Sequence, residues 1–148
     1  DKGPVPEEEY LLPIGKAKID REGTDVTIVS FGKIIKVVYE AADQLAKEGV
    51  SCEIIDLMSV RPIDYETIIN SVKKTNRLVI VEEAWPLSSI ATDISHVVQR
   101  NAFDQLDAPI HRVNSRDLPL PYAPTLIEEI LPSVKRTIDA VNAVTYRA

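Results

Sequence analysis

The sequence has little of the chemistry that a self-contained active site needs. It contains one cysteine, two histidines and five glycines among 148 residues. A single cysteine excludes an internal disulfide, and His96 and His111 do not have zinc-site spacing. No glycines form a phosphate-binding G-x-G-x-x-G or G-x-x-x-x-G-K pattern, and no G-x-S-x-G nucleophile turn is present. These absences exclude the common motifs for metal, nucleotide and acyl-transfer chemistry.

Charge and hydropathy exclude two further classes of partner. The apolar runs are much shorter than the roughly 20 residues that a membrane span requires, and no signal or transit peptide is recognisable at Asp1. The formal net charge is −6 and there is no basic stripe, so we expect no nucleic acid partner. An acidic surface suits a basic protein partner instead. The lone Cys52 lies in an apolar run, which favours a reducing intracellular compartment.

The chain does contain short apolar runs that alternate with amphipathic segments. The run at residues 78–81 is continuously apolar and β-branched, which indicates a central parallel strand buried on both faces. It ends in Glu82 and Glu83, which are followed by the only tryptophan, Trp85. Open α/β sheets place ligand and partner contacts at this carboxyl edge, so these residues are the first candidates for a site.

The same patterns predict the rest of the architecture. Strands are expected at 16–21, 26–30, 52–58, 78–82 and 111–114. Helices are expected at 34–47, at 64–74 with Asp64 as the cap, and from Ser88 or Ser89 onwards. Two further helical segments are expected around a break at Pro132: Thr125 caps the first, and Pro132 lies in the first turn of the second. The sum is one three-layer α/β/α domain with a mostly parallel five-stranded sheet at residues 14–148. Residues 1–13, rich in proline and glutamate, are expected to form an extended arm.

Glu82 and Glu83 are open to two interpretations. They could form a carboxylate pair with an acid–base role. The structural alternative, which we favour, is that one of them accepts hydrogen bonds from a helix N-terminus or pairs with Arg61 or Arg77.

Three other residues carry a functional and a structural interpretation each. Trp85 either stacks on a ligand or, as is more common, fills a protein interface. Arg61 either clamps an anion or pairs with a neighbouring acid. Asp107 is either a solvated acid or a docking point for a partner's arginine. The residues alone therefore describe an α/β domain without its own active site. A free-standing binding domain, or a small-ligand enzyme that uses Arg61 and the two glutamates, stays open.

Five segments in order along the chain give a resemblance to a known family. They are PIGKAKIDREGTDVTIVSFG at 13–32, VRPID at 60–64, SVKKTNRLVIVEEAWP at 71–86, LDAP at 106–109 and DLPLPYA at 117–123. On the basis of these segments, the chain resembles the C-terminal domain of the transketolase-like β subunits of 2-oxo acid dehydrogenase complexes. The resemblance extends from about Val5 onwards. Tyr122 and Arg61 favour the pyruvate type over the branched-chain type, and acetoin dehydrogenases remain an alternative.

The resemblance implies a fold and a division of labour. The family domain is a three-layer α/β/α structure of five strands whose first strand is antiparallel to the rest. In the family, thiamine diphosphate with its magnesium lies between the α subunit and an N-terminal half of β that we expect this chain to lack. The domain alone is then expected to bind neither cofactor nor metal and to be inactive. The intact heterotetramer decarboxylates pyruvate and reductively acetylates a lipoyl group, in the bacterial cytoplasm or the mitochondrial matrix.

The resemblance also implies partners and residue roles. The partners are the α subunit, a second β subunit and the small binding domain of the acyltransferase. In relatives, the acid that falls on Asp107 and the C-terminal carboxylate receive basic residues of that binding domain. Interface or structural roles fall to Arg61, Glu82, Glu83, Trp85 and Tyr122. Met58 departs from the arginine, and Ser89 and Ser115 from the glycines, that are frequent in relatives, so the local turns are expected to differ.

Overall fold

The computed structural model describes residues 7–147, whose centre is a five-stranded sheet in the order β1-β3-β2-β4-β5. The strands are β1 Lys18–Arg21, β2 Val26–Ser30, β3 Cys52–Asp56, β4 Leu78–Val81 and β5 His111–Val113. β1 runs antiparallel to β3, and the other pairings are parallel. The predicted fold class and the antiparallel first strand are confirmed.

The two central strands are the most apolar ones, as burial on both faces requires. All residues of β2 and β4 are buried. Ile28 in β2 pairs with Ile54 of β3 on one side and Val79 of β4 on the other. Gly23 permits the approach of the chain to β3, because a Cβ at this position would lie 2.2 Å from the carbonyl carbon of Cys52.

Helices cover both faces of the sheet. They are α1 Ile35–Lys47, α2 Tyr65–Thr75, α3 Ile90–Ala102, α4 Pro124–Ile130 and α5 Val134–Thr145, and a 3₁₀ turn at Gly32–Ile34 leads into α1. The apolar stripes of α1 and α5 pack together on one face, with Leu45 and Val141 in the same cluster. Those of α2 and α3 pack on the other, with Ile68 and Ile94 in the same cluster. The predicted three layers are therefore present.

Two helix starts differ from the sequence prediction. α4 begins at Pro124, whose missing N–H and fixed φ suit a first turn, so Thr125 is not its cap. The break at Pro132 is confirmed, but this proline precedes α5 instead of lying in its first turn. The cap of α5 is Ser133, whose Oγ accepts a hydrogen bond from the backbone N–H of Arg136 at 3.3 Å.

Residues 7–13 are exposed and lie outside helices and strands, whereas 1–6 and Ala148 lie outside the described residues. The division into an arm and a domain at residue 13 stays a prediction. None of the helices within residues 7–147 is long and apolar enough to cross a bilayer.

Candidate functional site

The two consecutive glutamates after β4 have different environments. Glu82 is fully buried, and its Oε1 accepts hydrogen bonds from the backbone N–H of Ala91 at 3.1 Å and from the side-chain amide of Asn114 at 2.8 Å. Ala91 lies in the first turn of α3, and Asn114 directly follows β5. Glu82 therefore links the start of α3 and the segment after β5 to the end of β4. This agrees with the structural interpretation, in which one of the two glutamates accepts hydrogen bonds from a helix N-terminus.

Glu83, in contrast, is exposed, and it lines a hollow of about 250 Å³ together with Trp85, Ser115 and Leu120. Glu82 cannot share this hollow as a ligand contact because none of its surface is exposed. Arg61 is exposed on the loop after β3. The fold therefore does not bring Glu82 and Glu83 together in one open cleft where a ligand could contact both.

Large apolar side chains are exposed around the same edge of the sheet. The side chain of Trp85 is 57% exposed and that of Tyr122 is 100% exposed. A second hollow, of about 390 Å³, has a mostly apolar lining that includes Leu118 and Leu126. We call this region the carboxyl-edge surface, and its members are Trp85, Leu87, Leu118, Leu120, Tyr122 and Leu126. Exposed apolar surface of this extent is typical of protein contacts.

Asp107 lies at the opposite edge, where β4 and β5 begin. Its backbone N–H donates to the carbonyl of Asn76 at 2.9 Å, and its carbonyl accepts from the hydroxyl of Tyr146 at 3.0 Å. The carboxylate lies 3.3 Å from the guanidinium of Arg77, and the Asp107 side chain is 56% exposed. Arg77, one of the cations considered for the glutamates, thus pairs with Asp107.

The surroundings of Asp107 combine charge with apolar surface. A hollow of about 360 Å³ is lined by Asp107 with Phe103, Leu106 and Pro109. The Phe103 side chain is 66% exposed. An exposed carboxylate beside an exposed aromatic ring can accept a basic side chain and cover its alkyl stem. We call this region the Asp107 hollow.

Asp64 has a structural role in capping α2. Its carboxylate accepts hydrogen bonds from the N–H of Thr67 at 3.2 Å, the hydroxyl of Thr67 at 2.9 Å and the N–H of Ala17 at 3.1 Å. Burial alone would raise the pKa of Asp64, but these hydrogen bonds and the charge of Lys16 outweigh it and hold the pKa below its ordinary value. The capping role expected for Asp64 is confirmed.

The fold also gathers a group of arginines that the linear sequence does not reveal. Arg112 on β5, Arg116 after it and Arg136 in α5 line one cleft of about 450 Å³. The first two are close in sequence, but Arg136 joins them only because α5 packs beside β5. The absence of a basic stripe therefore did not exclude a basic cleft.

The donor set within residues 7–147 is not that of a metal centre. No group of three His, Cys, Asp or Glu side chains is close enough to hold a metal ion. Magnesium that carries a diphosphate is ordinarily held by carboxylate and carbonyl oxygens together with water. Within residues 7–147, no cluster of three such side chains is present to supply these oxygens.

Comparison with known proteins supports the resemblance found in the motifs. The profile of the transketolase C-terminal domain matches residues 15–137. The mitochondrial pyruvate dehydrogenase E1 component subunit beta of Dictyostelium discoideum is 52% identical over 141 residues, which cover 95% of this chain and 40% of that protein. The acetoin:2,6-dichlorophenolindophenol oxidoreductase subunit beta of Bacillus subtilis (strain 168) is 45% identical over 137 residues, with 93% and 40% covered.

A solved structure agrees with the fold. A split gene transketolase, described as an inactive beta4 tetramer, matches with a TM-score of 0.82 and 26% identity over 94% of this chain and 45% of that one. The chain spans about two fifths of the length of the two curated relatives named in the preceding paragraph.

Proposed function

Because the chain belongs to the transketolase C-terminal domain family, we propose that it is the C-terminal domain of a pyruvate dehydrogenase β subunit. The supporting observation is the 52% identity to such a subunit, spread over nearly all of this chain but only 40% of the relative. The intact enzyme would decarboxylate pyruvate on thiamine diphosphate and pass the acetyl group to a lipoyl carrier. The compartment would be the mitochondrial matrix in a eukaryote and the cytoplasm in a bacterium.

In this proposal the domain serves assembly and docking, and the chemistry takes place elsewhere in the enzyme. The carboxylate that occupies the carboxyl edge, Glu82, is buried and committed to Ala91 and Asn114. The described residues contain no group of three side chains that could hold a metal ion. As the resemblance implies, thiamine diphosphate and magnesium would be held by the α subunit and by the N-terminal half of β.

The carboxyl-edge surface is the proposed contact with the α subunit or with a second β subunit. Its aromatic members, Trp85 and Tyr122, are exposed, whereas large aromatic side chains are usually at least partly buried in a folded domain. Aromatic residues are also enriched in protein interfaces. Arg61 and Glu83 are exposed near strand ends on the same side of the sheet and would lie at the polar rim.

The Asp107 hollow is the proposed docking site for the small binding domain of the acyltransferase. Arg77 is itself held by the carbonyl of Asp25 at 3.3 Å, so it orients the Asp107 carboxylate while leaving more than half of that side chain exposed. A basic side chain of the partner would complete a charge network there. The net charge of −6 would favour its approach.

The first prediction tests this docking site in the assembled enzyme. Asp107→Ala is expected to weaken binding of the acyltransferase's binding domain by about 2–5 kcal/mol, because a desolvated cation of the partner loses its counter-charge. Isothermal titration calorimetry with the assembled enzyme measures the change. The matched control is Asp104→Ala, which removes a neighbouring exposed acid and is expected to change the affinity little. Equal affinity of the Asp107→Ala and native enzymes would remove Asp107 from the docking site.

A second candidate is the β subunit of an acetoin oxidoreductase, which the 45% identity to the Bacillus subtilis protein favours. The two candidates share the fold and differ in the substrate of the intact enzyme. Assembly of the complete β subunit with its α subunit, followed by assays with pyruvate and with acetoin, separates them. Faster turnover of acetoin than of pyruvate would replace the first candidate with the second.

A further inference from the structure

Three arginines converge on one concave region beside β5 and α5, which we call the arginine cleft. Arg112, Arg116 and Arg136 line it together with His111 and Asn114, and its volume is about 450 Å³. An adjoining hollow of about 240 Å³ shares Arg112, Arg136 and His111. None of these residues lines the Asp107 hollow.

The hydrogen bonds described for Arg112 and Arg136 go to uncharged oxygens. Arg112 donates to the carbonyl of Pro86 at 3.1 Å and to the hydroxyl of Thr92 at 2.6 Å. Arg136 donates to the carbonyls of Asn114, Leu131 and Ile130 at 2.6, 3.2 and 3.5 Å. These bonds fix the guanidinium groups without neutralising them. Because a guanidinium has five N–H donors, donors remain for a ligand.

The third arginine adds charge that the protein does not balance closely. Arg116 lies 4.0 Å from Glu129, the long limit of an ion pair. Burial and, next, the positive charge of Arg116 lower the pKa of Arg136 from its ordinary value, so the two guanidinium groups repel each other. Opposing charge comes from Asp117, which lines the cleft, and from Asp139, which lines the adjoining hollow and pairs with Lys135 at 2.6 Å. A positive excess remains in a chain of net charge −6.

We propose that the arginine cleft binds a small phosphate-bearing anion. Guanidinium groups match the oxygens of phosphate in paired hydrogen bonds, and phosphate carries enough charge to relieve the repulsion between Arg116 and Arg136. The volume lies within the range of pockets for small molecules, roughly 300–1,000 Å³. The three arginines line a single hollow instead of following a strip, which favours a compact anion over an extended acidic segment of a protein.

Titration of the chain with inorganic pyrophosphate at constant ionic strength tests the proposal. We expect saturable binding with a Kd of about 1 mM or tighter by calorimetry, with inorganic phosphate weaker and competing. A glutamate-rich peptide serves as the third ligand. Arg112→Gln and Arg116→Gln are each expected to raise the Kd for pyrophosphate about tenfold through the loss of charged hydrogen bonds. These two variants are chosen because Arg136 also joins the end of α4 to the segment after β5 and its loss would perturb folding.

The matched control is Arg100→Gln, which removes the same charge from the exposed last turn of α3, away from the cleft. It is expected to leave the Kd within about twofold, because a distant exposed charge is screened by salt. Absence of saturable pyrophosphate binding would overturn the proposal. So would an equal loss in Arg100→Gln, or binding of the glutamate-rich peptide alone, since the cleft would then attract acidic protein segments.

Discussion

At the scale of single residues, the glutamate pair after β4 shows what a sequence does and does not reveal. The abrupt end of the apolar run correctly marks the edge of the sheet. Adjacency in sequence does not reveal that Glu82 is enclosed and Glu83 exposed, because the difference depends on where α3 begins and where Asn114 lies. Both of these positions are set by tertiary packing.

The second prediction follows from the burial of Glu82. Glu82→Ala is expected to reduce the free energy of unfolding by about 2–4 kcal/mol, because it leaves the N–H of Ala91 buried without an acceptor. It also removes the shorter hydrogen bond of the Asn114 amide, which keeps only its 3.3 Å bond to the carbonyl of Ala84. Glu82→Gln keeps one oxygen acceptor and is expected to cost less. Urea denaturation measures both, with Glu83→Ala as the exposed control at about 0.5 kcal/mol or less. A Glu82→Ala protein as stable as the control would contradict this role.

The third prediction concerns Asp64 and pH. Since its folded-state pKa is lowered, Asp64 stabilises the protein fully above its unfolded-state pKa of about 3.9 and loses that contribution as the pH falls through the folded-state value. The native protein is therefore expected to lose stability as the pH falls below about 4. Asp64→Asn should lose less over that window.

Urea denaturation at several pH values provides the comparison for Asp64. Part of the acid sensitivity should persist in Asp64→Asn, because the pKa of Glu53 is also lowered. Burial alone would raise the pKa of Glu53, but hydrogen bonds from Lys74 and Gly23 help to hold it below its ordinary value. Asp104→Asn, at an exposed site, should keep the native pH profile. Parallel curves for Asp64→Asn and the native protein would show that Asp64 does not titrate in this window.

At the scale of elements, the periodicity of apolar residues predicts which segments are helical better than it predicts the residue at which each helix begins. The apolar stripes of α1, α2 and α3 were recognisable, and so was the break at Pro132. The start of α4 was not, because Thr125 and Glu128 have the spacing of a capping pair although Pro124 opens the helix. Local spacing alone cannot decide between Pro124 and Thr125 as the start, because a first-turn proline and a capping pair are both common helix openings.

The fourth prediction compares two helix caps. Ser133→Ala is expected to cost about 1 kcal/mol of unfolding free energy, because the Ser133 oxygen accepts the hydrogen bond from the N–H of Arg136. Ser89→Ala should cost clearly less, since the N-terminal N–H of Ala91 is accepted by Glu82 and the Ser89 hydroxyl contacts that of Thr92. Chemical denaturation of both variants gives the difference. A larger loss in Ser89→Ala would contradict this assignment of caps.

At the scale of the whole molecule, the parallel sheet separates the carboxyl-edge surface from the Asp107 hollow. The carboxyl-edge surface follows the ends of the strands, whereas Asp107 and Arg77 lie where β5 and β4 begin. Subunit assembly and acyltransferase docking would therefore not compete for the same residues. The five strands, the antiparallel direction of the first and the three layers followed from sequence patterns and resemblance. The arginine cleft did not, since its members meet only after α5 packs beside β5.

The division of labour within the enzyme gives the last prediction. Release of carbon dioxide from carboxyl-labelled pyruvate is measured with this chain, thiamine diphosphate and magnesium, and then with the α subunit and the N-terminal half of β added. We expect the chain alone to give only the background rate of the free cofactor, because the residues proposed to hold the cofactor lie in the α subunit and in the N-terminal half of β. Activity is expected only with the added parts. Catalytic turnover of pyruvate by the chain alone would contradict its proposed role as an assembly and docking domain.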